Sequence, residues 1–306
     1  MRKTLVLAAL VLAAIVATLS PSANAITGPN AVPSDRDNVV LLTFYDEQGV
    51  YLWRCSGTLI APTIVLTAGH CTYQAAEARV WADQGPYVET PVNEGGYPLS
   101  PVEDRPPCAG YVGWPCEGED ATGEPLTYPG FGFPGIVPPE DASFPNTGDV
   151  GLVILDTAIV PESGFASLAE ADALDVFETQ RGRQNITFTD VGYGLQKTRP
   201  TGDDAVRIRL EVTTQLVNLT NSLTAGFNLQ TSANPGGGRG GACFGDSGGP
   251  IFYDASNVIV AVTSFGITPW CTGVDFAFRI DQQDVLEWIL EIAAAEGETV
   301  TVVPLP

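Results

Sequence analysis

The strongest constraint on this chain is its punctuation. Apolar, β-branched runs are short and are interrupted repeatedly by glycine and proline, which number 33 and 24 in 306 residues. Val39–Tyr45, Leu52–Ile60, Thr63–Thr67 and Val150–Leu155 are such runs in the first half. Asn185–Val191, Val206–Val217, Ile251–Tyr253, Val258–Phe265 and Asp275–Ile280 continue the pattern in the second. Short strand-forming runs without regularly alternating helices predict an all-β barrel or sandwich and speak against an α/β fold. One segment breaks the rule. Val285, Leu286, Trp288, Ile289, Leu290 and Ile292 fall at helical spacing after Asp281, a candidate N-cap, and predict a helix over about residues 282–295. Residues 84–148 are rich in Pro, Gly and acid, carry Cys108 and Cys116, and read as long surface loops. No repeat of fixed period is present.

The first 25 residues have the form of an export signal. Arg2 and Lys3 precede an uncharged run from Leu5 to Leu19, and Ala23-Asn24-Ala25 is a small-residue cleavage site. The run falls short of the roughly 20 apolar residues that a spanning helix needs. Cleavage after Ala25 makes Ile26 the first residue of the mature chain and sends it out of the cytoplasm, where disulfides persist. The six Cys then suit three bridges, although six allow about 15 pairings on sequence alone.

Charge narrows the partners. Lys and Arg total 14 against 36 Asp and Glu, a net charge of −22. Phosphate backbones and anionic lipid surfaces would be repelled, so neither nucleic acid nor, after signal cleavage, a membrane is an expected partner. The chain has two lysines, Lys3 and Lys197, and one histidine, His70, which excludes sites built on several imidazoles. The acids Glu117, Glu119, Asp120, Glu140 and Asp141 lack a calcium-ligand spacing and read as solvated loop charges. No metal or other cofactor is expected.

Three strings carry chemistry. The sole histidine lies in Thr67-Ala68-Gly69-His70-Cys71, Ser247 lies in Gly245-Asp246-Ser247-Gly248-Gly249-Pro250, and Asp149 heads the apolar run Val150–Leu155. A serine hydroxyl is a weak nucleophile at neutral pH and needs a base to take its proton as it attacks. An imidazole can do that and later return the proton to a leaving group. A carboxylate on the other ring nitrogen fixes the tautomer and stabilises the imidazolium. Gly245-x-Ser247-x-Gly249 also fits the nucleophile elbow of α/β-hydrolases, but those enzymes place a histidine after the serine, and none follows His70. A subtilisin-like reading would need an Asp before the His, and the matching serine motif is missing.

These strings, in the order His, Asp, Ser, resemble the chymotrypsin/trypsin-like serine peptidases over nearly the whole mature chain. The resemblance implies two six-stranded antiparallel Greek-key barrels and a C-terminal helix, with His70 and Asp149 carried by residues 26–160 and Ser247 by 161–306. It further implies a secreted monomeric endopeptidase acting on proteins or peptides through an acyl-enzyme. The N–H groups of Gly245 and Ser247 would form the oxyanion hole. Ile26-Thr27-Gly28 is similar to the family's mature start, whose α-amino group pairs with the Asp beside the catalytic serine, here Asp246; Pro29 departs from the family pattern. The family pairs Cys55 with Cys71 and Cys243 with Cys271, and the remaining Cys108 and Cys116 would close a small loop in the acidic stretch. Ser264, Phe265 and Gly266 match the edge segment that binds substrate backbone, Ser264 also touching the triad Asp. Six residues before Ser247, where trypsin-like members carry an acid, stands Gly241. Asp275 is a candidate for the opposite pocket wall. An apolar or aromatic preference is the first expectation and a basic one the second. The competing class is a catalytically silent homologue that binds proteins with the same scaffold.

Overall fold

The structure, a computed structural model, describes residues 26–28, 30–87, 97–98, 100–179, 182, 185–196, 207–234 and 239–306. The export segment 1–25, Pro29, Lys197 and Val206 lie outside the described residues.

In chain order the first half supplies β1 (Val32–Pro33), β2 (Val39–Tyr45), β3 (Tyr51–Ala61), β4 (Ile64–Thr67), the single-turn helix α1 (Gly69–Thr72), β5 (Glu77–Trp81), β6 (Ala121–Thr127) and β7 (Gly151–Leu155). Six of these strands close a barrel in the order β2-β3-β4-β7-β6-β5. Strand β2 shows why the run Val39–Tyr45 is apolar throughout. Val40, Leu42 and Phe44 point into the barrel with Val65, Val80 and Val153, while the alternate residues Val39 and Leu41 pack outward into a second apolar cluster. A strand buried on both faces loses the polar alternation of a half-exposed one.

The second half supplies β8 (Ser167–Ala169), β9 (Thr187–Gly192), β10 (Leu210–Asn218), β11 (Asn228–Ala233), β12 (Pro250–Tyr253), β13 (Val258–Gly266), β14 (Gly273–Arg279), helix α2 (Gln283–Ala295) and β15 (Val302–Val303). Antiparallel pairings run β9-β10-β11-β14-β13-β12 and return to β9, a second closed ring of six. Strand β8 adds to β13, and β15 to β8, both in parallel, so the C-terminal tail packs on the barrel edge.

The cluster between the barrels joins Leu66 and Leu152 of the first to Phe252, Ile259 and Phe278 of the second and to Val285 and Ile289 of α2. The termini cross over. Residues 26–28 and 30–33, ahead of the first barrel in sequence, dock on the second: β1 pairs with β10, and Thr27 bridges Gly241. Helix α2 reaches back to the first barrel, where Trp288 packs edge-on against Tyr128 with ring centroids 5.3 Å apart.

Two local expectations are corrected. Helix α2 begins at Gln283 with Gln282 as N-cap and no side-chain cap. Asp281 is instead fully buried, pairing with Arg279 at 2.8 Å and accepting the N–H of Leu174 at 2.9 Å. A buried guanidinium needs a carboxylate more than a helix end that begins near water needs a cap. The stretch 84–148 is also more than surface loop. It contains β6, a full member of the first barrel, and lays Tyr97, Cys108 and Cys116 into a buried cluster with Tyr45 and Tyr51. Strands β5, β8 and β11 likewise lack a strong sequence signature.

Candidate active site

His70 is placed by the turn that follows β4. Helix α1 carries it to the barrel edge, and the Cys55–Cys71 disulfide ties the next residue back to β3. Trp53 Nε1 donates to the carbonyl of Cys71 at 2.8 Å, a second brace. Asp149 precedes β7 and is fully buried. Its Oδ1 accepts the backbone N–H of His70 at 2.8 Å, and its Oδ2 lies 2.9 Å from His70 Nδ1. Ser264 Oγ on β13 donates to the same Oδ2. An ionised carboxylate only accepts, so Nδ1 carries the proton and Nε2 is left as the basic lone pair.

Charge follows this geometry. Burial alone would raise the Asp149 pKa, but the charge of His70 and the donated hydrogen bonds outweigh it and hold Asp149 below its ordinary 3.8. Burial alone would lower His70, but the Asp149 charge and hydrogen bond lift it above 6.5. The imidazole side chain remains 18% exposed, and its open side faces a cleft.

Ser247 sits on the turn that leads into β12. Gly245 has φ +99°, a left-handed conformation that favours glycine. The first barrel grips this loop through Ser56, whose Oγ donates to the carbonyl of Gly245 at 3.0 Å and whose N–H donates to that of Ser247 at 2.8 Å. Sequence reasoning missed Ser56, and nothing in its strand marks it. The buried Asp246 carboxylate accepts the N–H of Gly194 at 2.7 Å and of Cys243 at 2.8 Å. Burial still raises it to about 7, against those two bonds and the charge of Arg54. Ile26 is fully buried against Ala31, Leu210 and Val212. Among the described residues Asp246 accepts from the N–H groups of Gly194 and Cys243, and the Ile26 nitrogen of the uncleaved chain is an amide.

Two cavities share His70 and Ser247. One, of about 430 Å³, is walled by Ala242, Cys243, Phe244, Ser264, Phe265, Gly266, Ile267 and Asp275. The other, of about 470 Å³, is walled by Trp53, Arg54, Tyr73 and Ile136. The cleft therefore continues past the serine on both sides. Gly241 is not part of the wall but lies directly behind it: a Cβ there would come within 2.1 Å of Asp275 Oδ2. The two positions are alternatives for one carboxylate, and here Asp275 holds the space. It accepts the N–H of Ala242 at 2.8 Å, and burial, with the charge of Asp246, raises it to about 7. Phe133, from the stretch read as loop, lies 6.0 Å from the His70 ring and 5.9 Å from Phe265, adding an aromatic wall that the sequence did not announce.

All three expected disulfides are formed: Cys55–Cys71, Cys108–Cys116 and Cys243–Cys271. Cys55, His70 and Cys71 cluster closely enough to suggest a metal site, but the two sulfurs are bonded to each other and offer no thiolate.

Comparison with known proteins places the chain in a family. The family model described as Trypsin matches residues 26–100 and 137–289. Chymotrypsin-like elastase family member 3B of Macaca mulatta is 36% identical over 92 residues, 28% of this chain and 35% of the relative. The Homo sapiens protein of the same name is 36% identical over 92 residues, 28% of this chain and 34% of the relative. The chain thus spans about a third of the length of the curated relatives it matches. Among solved structures, HL collagenase superposes with a TM-score of 0.56 at 17% identity, covering 87% of this chain and 97% of that one, which shows a shared fold. With a family match over most of its length and two closed six-stranded barrels, the chain belongs to the trypsin family of serine peptidases.

Proposed function

We propose that this chain is a secreted serine endopeptidase that cleaves peptide bonds with Ser247, His70 and Asp149. The observation that carries the reading is the buried Asp149–His70 couple, its imidazole open to the cleft that Ser247 also lines. In the reaction, His70 Nε2 takes the proton of Ser247 Oγ as Oγ attacks the scissile carbonyl carbon. The N–H groups of Gly245 and Ser247 receive the developing oxyanion. The C–N bond breaks as His70 returns the proton to the amine, and water repeats the sequence on the acyl-enzyme. The two barrels, taken as units 26–160 and 161–306, each bring one half of this apparatus to the cleft. Substrates are proteins or peptides; the site acts as a monomer and uses no cofactor.

Secretion and activation are read together. Signal cleavage after Ala25 would turn the Ile26 amide into an α-ammonium beside the buried carboxylate of Asp246. Ile26 has φ +52°, a costly left-handed conformation for a β-branched residue. That torsion exists only while residue 25 is attached, so cleavage removes the strain. Asp275 is the one carboxylate in a pocket wall that otherwise mixes Phe244, Phe265 and Ile267 with the hydroxyls of Thr263, Ser264 and Thr268, which suits a large apolar or aromatic side chain while Asp275 is neutral and a basic one when it is ionised.

Labelling of the secreted protein with a fluorophosphonate tests the reading. Wild type should label and Ser247→Ala should not, with turnover falling roughly 10⁶-fold. Folded wild type that begins at Ile26 and fails to label would defeat it.

A further inference from the structure

A buried carboxylate outside this apparatus has no satisfactory partner. Asp190 lies on β9 and is 1% exposed. Its Oδ1 accepts from Thr263 Oγ1 at a long 3.4 Å, and its Oδ2 has no hydrogen-bond partner among the described residues. Orphaned buried acids are costly and call for a reason. Its surroundings supply one. Period-two alternation places Asp190 on the same face of β9 as Gly192, and a Cβ on Gly192 would come within 2.3 Å of Asp246 Oδ1. The charges of Asp246 and Asp275 both act on Asp190, which is raised well above the usual carboxylate range after burial has first pushed it up. Across the ladder Asp190 stands opposite Val212 of β10, and Val212 is one of the residues packed on Ile26. Asp190 thus neighbours Asp246 by charge and, through Val212, the segment that carries Ile26.

We propose that Asp190 is a positioning residue for the mature amino terminus, a second carboxylate that shares the Ile26 α-ammonium with Asp246. The inference rests on the activation reading above and adds a partner to it. The amino group then enters a site whose facing charges are Asp246 on the serine loop, Asp190 on β9, Asp275 on β14 and Arg54 on β3. Two carboxylates and one ammonium leave one excess negative charge, which a proton held between the acids or the guanidinium of Arg54 offsets. An ammonium held by two acids keeps its proton to higher pH than one held by a single acid.

The test compares mature wild type and Asp190→Asn, both shown by mass to begin at Ile26. Asparagine keeps the shape and removes the charge. The alkaline limb of kcat/KM, where the α-ammonium loses its proton, should move down by about one pH unit in the variant, a tenfold weaker hold on the proton. Fluorophosphonate labelling at pH 7 should stay close to wild type. An unmoved alkaline limb overturns the proposal, because a merely structural acid would leave it in place. A crystal structure of mature wild type gives a second answer that does not depend on the variant folding. The Ile26 nitrogen within about 3.2 Å of Asp190 supports the proposal. A nitrogen bonded to Asp246 alone overturns it and leaves the activation reading standing. A nitrogen in solvent, with labelling intact, overturns both.

Discussion

Asp149, where the two barrels meet, and Asp246, under the serine loop, are both fully buried, yet their surroundings pull them in opposite directions. Asp149 is held below 3.8 and Asp246 is raised to about 7. Burial disfavours the charged form of each. The difference lies in what surrounds them. Asp149 receives the backbone and ring N–H groups of His70 and the hydroxyl of Ser264, and its neighbour can itself become a cation. Asp246 receives two backbone N–H groups, with Arg54 as its compensating charge and Asp190 and Asp275 as like-charged neighbours. Asp149 has a partner that can itself become a cation. On the activation reading proposed above, the Ile26 α-ammonium would add a second cation beside Arg54 for Asp246. This contrast separates the part of the site that folding assembles from the part that cleavage before Ile26 would complete.

Removing the charge from the first acid gives the largest expected effect. Asp149→Asn should lower kcat about 10⁴-fold, the general cost of losing the orienting carboxylate of such a triad. The acid limb of kcat/KM should also move. His70 is raised above 6.5 by Asp149, so wild-type activity falls as pH drops through that raised value. In the variant the limb moves to lower pH. A variant within tenfold of wild type would show that Asp149 does not set the imidazole.

The second acid should show itself in stability. Asp246 has a folded pKa of about 7 against an ordinary 3.8, so the stability it contributes is present below the unfolded value and is lost as pH rises through about 7. In a chain extended by one residue before Ile26, the urea midpoint should therefore fall between about pH 4 and pH 8, relative to the same chain with Asp246→Asn. The cost is on the order of 4 kcal/mol. With a free Ile26 ammonium the fall should largely vanish, and fluorophosphonate labelling, weak in the extended chain, should reach its full extent. Equal pH dependence in the two chains would break the comparison on which the activation reading stands.

The part of the site that folding assembles was the legible part. Thr67–Cys71 and Gly245–Pro250 are contiguous strings whose residue types state their chemistry, and Val39–Tyr45 proved to be a strand with the same limits. The unread parts depend on register and long-range contact. Strand β6 is Ala-Thr-Gly-Glu-Pro-Leu-Thr, poor in strand formers, and it lies between the two stretches matched by the family model. Its place is fixed by β5 and β7 rather than by its own propensity. Asp190 carried a faint signal: it shares a face by alternation with Phe188, which is buried in the core. An acid on a core-facing position of a strand can be noticed from sequence, but whether it is orphaned depends on Thr263, Asp246 and Val212, which come from other segments. Asp275 was legible as an acid near the pocket. That it fills the space behind Gly241 required the fold.

The smallest effect concerns Asp275, which shares the electrostatics of Asp246 but opens onto the cleft. Raised to about 7, its carboxyl is mostly neutral at pH 6 and mostly ionised at pH 8. A neutral carboxyl in a wall of uncharged side chains accepts a large uncharged side chain, and an ionised one favours a guanidinium or ammonium. The ratio of kcat/KM for a peptide with Arg before the scissile bond to that for one with Phe should therefore rise about tenfold across this range. Protonation of His70 and of the amino terminus affects both substrates alike and cancels in the ratio. Asp275→Asn should flatten the profile toward the low-pH value. A ratio independent of pH in both proteins would mean that the N–H of Ala242 takes all that Asp275 offers. In that case the acid would belong with the buried charges beneath the serine loop rather than with the substrate.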